Sequence, residues 1–274
     1  MNTTVKRTIF GVIFLAVMLG GLLFDKIAFC ALFLFIDCVM AGEFLRITMG
    51  KEHKGVQYAA IGVAALAFII AGLVVWVGIP ESWLSLNLVT VMALMMLMIH
   101  HHSNFKDYSY VFTALVYIAL PLSFSHYAVR GPEGFDGSLL LNFFILIWSS
   151  DTGAYCFGML FGQKIWPARL CPEISPKKSW AGFWGGLVTT LLAAWILRLV
   201  GLWDFPIVHC LILATIMNVT GVFGDLFESL WKRQFGVKDS GDIIPGHGGL
   251  LDRFDSSLFA MPAGYVYLLL NGLL

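Results

Sequence analysis

Six carboxylates and four cations crowd one stretch of the chain: between 224 and 255 stand Asp225, Glu228, Asp239, Asp242, Asp252 and Asp255, with Lys232, Arg233, Lys238 and Arg253 among them. Carboxylate oxygens are hard ligands that suit Mg²⁺, while Lys and Arg take up phosphate charge, so this mixture has the chemistry of a Mg²⁺–polyphosphate site. Asp252 and Asp255 are three residues apart and share a face if the segment is helical. Pro245-Gly246-His247-Gly248-Gly249 is too rich in Gly for a helix. Such a backbone can approach a ligand closely and turn N–H groups toward phosphate. The plainer alternative is a solvated loop whose opposite charges pair. It accounts for the charges but not for the density of Gly and His.

A second polar segment, Ser175-Pro176-Lys177-Lys178-Ser179, precedes an apolar run. It reads either as a positive anchor or as a phosphate clamp at a helix entrance, where unpaired N–H groups and the helix dipole favour anions. Three further carboxylates, Asp37, Glu43 and Asp151, fall inside apolar runs, where an ionised group costs about 2.5–3.5 kcal/mol on insertion scales. Asp37 reads equally as a packing contact and as a functional group. Glu43 lies near a span end, where it can reach water. Asp151 follows Ser149 and Ser150 and precedes Gly153, Gly158 and Gly162. Small residues at that spacing allow close helix packing, and the Asp beside them is expected to face a polar cavity.

The elements that must position these groups are membrane helices. Residues of the AVILMFWYC set make up 59% of the 274 and charged residues only 12%, too few charges to cover a water-soluble globule of this size. Soluble, disordered and disulfide-scaffold classes are thereby excluded, and the five cysteines show neither CxxC nor metal-ligand spacing. The net charge of zero excludes a broad nucleic-acid footprint. Nine apolar runs are long enough to span: 8–24, 27–45, 56–78, 83–100, 108–129, 138–161, 181–202, 206–227 and 254–273. They do not alternate as barrel strands do, so the expected fold is an all-α polytopic integral membrane protein. With the N-terminus in the cytoplasm, only Lys26, Arg130 and Arg198 of the 17 basic residues fall outside, a strong positive-inside bias. Both polar segments then face the cytoplasm. The expected division is an N-terminal helical part, 1–130, and a catalytic part, 131–274, with cytoplasmic loops at 162–180 and 228–253.

Taken together, Ser229-x2-Lys232-Arg233-x4-Lys238-Asp239-x-Gly241-x3-Pro245-x-His247-Gly248-Gly249-x2-Asp252-Arg253-x-Asp255 resembles the signature of the phosphatidate cytidylyltransferases, also called CDP-diacylglycerol synthases. Asp151-Thr-Gly-Ala-Tyr and Ser175-Pro-Lys-Lys-Ser resemble two further segments of that family. The likeness covers about 150 to 274 by motif and rests on hydropathy alone before that. Trp231 replaces a smaller aliphatic residue of the family pattern, and Ala181 stands where a Glu is usual.

The resemblance implies transfer of a cytidylyl group from CTP to phosphatidate, giving CDP-diacylglycerol and pyrophosphate, in a bacterial inner membrane with the site facing the cytoplasm. It implies Mg²⁺, held by Asp225, Asp252 and Asp255, and leaves a second cation and a homodimer open. The implied catalytic set is Asp225, Asp252, Asp255, Lys178, Lys238 and Arg253. Substrate contacts are expected from Asp151, Ser175, Lys177, Ser229, Lys232, Arg233, Asp239, His247, Gly248 and Gly249, and the partners are the two substrates and membrane lipid. The competing class is a transporter with an ion path through Asp37 and Asp151.

Overall fold

A computed structural model describes residues 3–51, 53–162 and 165–274; Lys164, one of the basic residues of the orientation argument, lies outside them. Helices occupy all nine predicted intervals. They are α1 (Thr3–Leu23), α2 (Lys26–Met49), α3 (Lys54–Val77), α4 (Leu86–His100) after a 3₁₀ turn at Glu81–Ser85, α5 (Phe105–Ala114) joined through a π turn to α6 (Leu120–Ala128), α7 (Ser138–Leu160), α8 (Trp180–Leu199), α9 (Ile207–Gln234) and α10 (Leu251–Leu270). Among the described residues, seven of these rods are long and apolar enough to cross a membrane by length and composition. The apolar part of α1, Arg7–Leu23, is shorter, and α10 is not among the seven. The latter opens on Asp252, Arg253 and Asp255 and carries Pro262.

Polar punctuation sets the helix ends. Asp25 accepts from Ala28 N–H at 2.7 Å to start α2, and Gly50 ends it at φ +66°. Asn104 and Asp107 form a capping box on α5. Two short hairpins interrupt the helices: β1 (Arg130–Gly131) with β2 (Gly134–Phe135), and β3 (Arg169–Cys171) antiparallel to β4 (Ser175–Ser179).

The chain forms two compact units. The first comprises the described residues of Met1–Gly137 together with Asp239–Arg253. Its core is built on Phe29, Phe33, Ile36, Met40 and Phe44 of α2, with Ala60, Ala64 and Phe68 of α3. His126 is sealed into it, its Nδ1 accepting from the Trp76 indole at 3.1 Å and its Nε2 3.1 Å from the Phe68 carbonyl. That pairing fixes the neutral tautomer with the proton on Nε2. Asp37 is fully buried, with no hydrogen-bond partner for either carboxylate oxygen among the described residues.

The second unit comprises Ser138–Lys238 with Phe254–Leu274. Its α7–α8 seam is made of glycine. A Cβ on Gly153 would fall 1.9 Å from Thr189 Oγ1, and one on Gly162 would fall 2.3 Å from Ser179 Oγ. The glycines beside Asp151 therefore serve close packing. Trp231 is buried, so the larger residue at that position is a packing change. All five cysteines are free.

Candidate active site

In the second unit, α9 carries Asp225, Glu228 and Lys232 at i, i+3 and i+7, one face of one helix. Alternation along β4 turns Lys178 to the opposite side from exposed Lys177. Lys178 Nζ lies 2.6 Å from Asp225 Oδ2. Ser229 donates to Asp225 Oδ1 at 3.4 Å. A turn further along, buried Glu228 and Lys232 form an ion pair. The α10 backbone reaches α9 because residue 224 is glycine; a Cβ there would sit 2.4 Å from the Asp255 carbonyl oxygen. This approach brings the half-buried Asp255 within electrostatic reach of Asp225, Glu228 and Asp151. Four carboxylates and two ammonium groups thus share one locality, and no Lys or Arg is ion-paired to Asp255 among the described residues. A divalent cation suits that excess of negative charge.

The Lys178 segment is a strand, not a helix entrance with free N–H groups. Ser179 ends it, and its Oγ accepts from Gly182 N–H at 3.1 Å, capping α8.

The first unit holds a second carboxylate cluster around the glycine-rich loop. Asp252 Oδ2 accepts from Ser240 N–H at 2.8 Å, Gly249 N–H at 2.8 Å and Ser240 Oγ at 3.1 Å. Beside it stands Glu43 from α2. Its Oε1 accepts from Leu250 N–H at 3.0 Å, and its Oε2 accepts from Leu251 N–H at 2.9 Å and Ser240 Oγ at 2.8 Å. Glu43 is only 7% exposed, so it does not reach water as its place near a span end suggests; it caps the N-terminus of α10. The glycines are there for these carboxylates. A Cβ on Gly241 would meet Glu43 Oε1 at 2.5 Å, one on Gly248 would meet Asp252 Oδ2 at 2.6 Å, and one on Gly249 would meet Ser240 Oγ at 2.1 Å. Gly248 also adopts φ +86°, which side chains rarely tolerate. His247 is half-buried against α1; burial, with the guanidinium groups of Arg253 and Arg7 nearby, holds its imidazole below the usual range.

Of the expected triad, Asp225 and Asp255 come together in the second unit. Asp252, one turn before Asp255 on α10, belongs to the cluster of the first. No group of three or more His, Cys, Asp or Glu side chains suited to a metal occurs among the described residues. Lys238, Asp239 and Arg253 are exposed, Arg233 donates to the Val237 carbonyl at 3.4 Å, and Ser175 pairs with Cys171 across the hairpin. Glu43 and Glu228 stand out in the sequence but not as site residues; the signal for Glu43 is its place inside an apolar run, and that for Glu228 its i+3 spacing from Asp225 and i+4 spacing to Lys232.

Comparison with known proteins decides the family. The model of the cytidylyltransferase family matches residues 5–271. The chain belongs to this family. Among relatives, it is 37% identical over 195 residues to the phosphatidate cytidylyltransferase of Bacillus subtilis, covering 70% of this chain and 69% of that one. It is 40% identical over 161 residues to the phosphatidate cytidylyltransferase of Staphylococcus haemolyticus, covering 58% of each chain. With that of Haemophilus influenzae it shares 48% over 130 residues, 45% of this chain and 43% of the other. As a cytidylyltransferase it needs ionised groups that gather two anionic reactants.

Proposed function

We propose that this cytidylyltransferase joins CTP and phosphatidate into CDP-diacylglycerol and pyrophosphate. The observation that carries this reading is the lysine–carboxylate locality of Lys178, Asp225, Glu228 and Asp255 within a chain that matches the family model over 5–271. A phosphatidate oxygen forms a bond to the α-phosphorus of CTP, while the bond from that phosphorus to the bridging oxygen of the β-phosphate breaks. Pyrophosphate leaves with the electron pair. The attacking phosphate is already ionised near neutral pH, so the chain's task is positioning and charge stabilisation. Lys178 meets triphosphate charge once Asp225 is engaged elsewhere, and Lys177 stands exposed beside it. Asp225 and Asp255 would hold Mg²⁺, which when bound neutralises phosphate charge; Asp252, the third expected ligand, is taken up by the Ser240 and Gly249 N–H groups of the first unit. Glu228 keeps Lys232 oriented. In the first unit, Glu43 and Asp252 fix the glycine-rich loop that carries His247.

The site faces the cytoplasm of a bacterial inner membrane in this reading, with nine crossings and the N-terminus inside. Its support is the basic-residue bias and the cytosolic origin of CTP. Pyrophosphate release by the purified protein in detergent tests the reaction. Release requiring CTP, phosphatidate and Mg²⁺ together is expected, and none with all three present overturns it.

A further inference from the structure

Helix α1 carries Arg7, Phe10, Phe14 and Val17 at i, i+3, i+7 and i+10, so one helix face runs from a guanidinium into an apolar wall. Phe10, Phe14 and Val17 line a cavity of about 210 Å³, closed by Leu32 of α2 and by Ile244 and Leu250 of the glycine-rich loop. Every residue lining it is apolar. One end of this wall is cationic. The Arg7 stem packs against Gly246, where a Cβ would fall 3.0 Å from Arg7 Cγ. The His247 ring lies against Gly11, one turn on from Arg7, and a Cβ at Gly11 would meet it at 3.7 Å. His247 Nδ1 is buried and has no partner among the described residues. Arg7 and Arg253 are both close enough to act electrostatically on that ring, and neither is ion-paired to a described carboxylate. The adjacent acids do not quench them directly, because Glu43 and Asp252 are engaged by Ser240, Gly249, Leu250 and Leu251.

An apolar groove headed by two guanidinium groups and an imidazole complements an amphiphile with a compact, doubly charged anionic head. We propose that this groove is the phosphatidate subsite, with an acyl chain along α1 and α2 and the phosphate monoester on Arg7, beside His247 and Arg253. The assignment rests on the proposed reaction and adds the N-terminal helix to the substrate-binding machinery. Zwitterionic lipids bring their own cation to the phosphate, which leaves the guanidinium groups poorly matched.

The test has two arms. In the first, steady-state kinetics compare the wild type with Arg7→Gln and Arg7→Lys. Arg7→Gln should raise KM for phosphatidate about tenfold or more, the scale of one lost hydrogen bond to a charged group, with KM for CTP unchanged and partial recovery in Arg7→Lys. Equal effects on both KM values, or none, overturn the subsite. In the second, the full-length protein in lipid nanodiscs is cross-linked to a phosphatidate bearing a diazirine on one acyl chain. Labelling within 10–18, 32–36 or 243–250, competed by phosphatidate, is expected. Labelling elsewhere, or equal competition by phosphatidylcholine or phosphatidylglycerol, overturns it. The binding arm needs no turnover: an inactive protein that labels in the groove refutes the reaction and keeps the site, whereas an active one that labels elsewhere does the reverse.

Discussion

Lys178 reaches Asp225 from a different element, an ammonium on strand β4 lying 2.6 Å from a carboxylate on helix α9. Both side chains keep some exposure, 23% and 34%, so as an isolated pair the contact contributes about 0–1 kcal/mol to stability. In the proposed reaction each group would exchange this contact for a more highly charged partner.

Asp225→Asn and Lys178→Met should therefore each lower turnover by two orders of magnitude or more, on the order of 3–4 kcal/mol of transition-state stabilisation, while thermal unfolding in detergent moves little. Asp225→Asn should also shift the Mg²⁺ dependence of pyrophosphate release, whereas Lys178→Met should act mainly through CTP. Wild-type rates at limiting Mg²⁺ in Asp225→Asn would remove the metal role.

Glu43→Gln tests the staple at the start of α10. Both carboxylate oxygens accept from N–H or O–H donors, so an amide must turn its NH₂ toward at least one of them. We expect a loss of about 1–3 kcal/mol, read as a lower Tm, with faster proteolysis in 239–250. Ser240→Ala should cost less, because Leu250 and Leu251 still donate. An unchanged Tm in Glu43→Gln would show that the staple carries no stability.

Gly249→Ala isolates contact from backbone strain, because Gly249 is not in the left-handed region. Its new methyl would sit 2.1 Å from Ser240 Oγ and 2.6 Å from Glu43 Oε2. Destabilisation of about 1–3 kcal/mol and loss of activity are expected. Gly62→Ala on α3 meets nothing within 4 Å and should be neutral or stabilise by up to about 1 kcal/mol. Parallel thermal melts of the two variants check this contrast.

Single cysteines at Glu133 and Asp242, both exposed, read the topology once the five native cysteines are replaced. Labelling of intact cells and of inverted vesicles with an impermeant maleimide should reach them from opposite sides. Labelling from one side would break the nine-crossing arrangement.

The helical rods were legible because each is an apolar run bounded by polar or glycine residues, and that pattern is local. The site was legible in its residue types and much less in its pairings. Lys177 and Lys178 look equivalent in sequence; only the β3–β4 hairpin separates an exposed lysine from one on Asp225. The glycines at 246, 248 and 249 suggested room for phosphate. At 248 and 249 the space is taken by Asp252 and Glu43, and nothing near the loop in sequence announces a partner on α2.

Glu43 and Ser240 are separated by 197 positions. At about 5–20 residues per second, α2 therefore waits roughly 10–40 s of synthesis before its carboxylate meets the donors that complete it. Throughout that interval an apolar helix carries an unanswered acid near its end, a state that weakens its hold on the bilayer. A nascent chain that stalls or is cut short after α9 never leaves this state. Glu43 thus gains its backbone donors only in a chain made past Leu251.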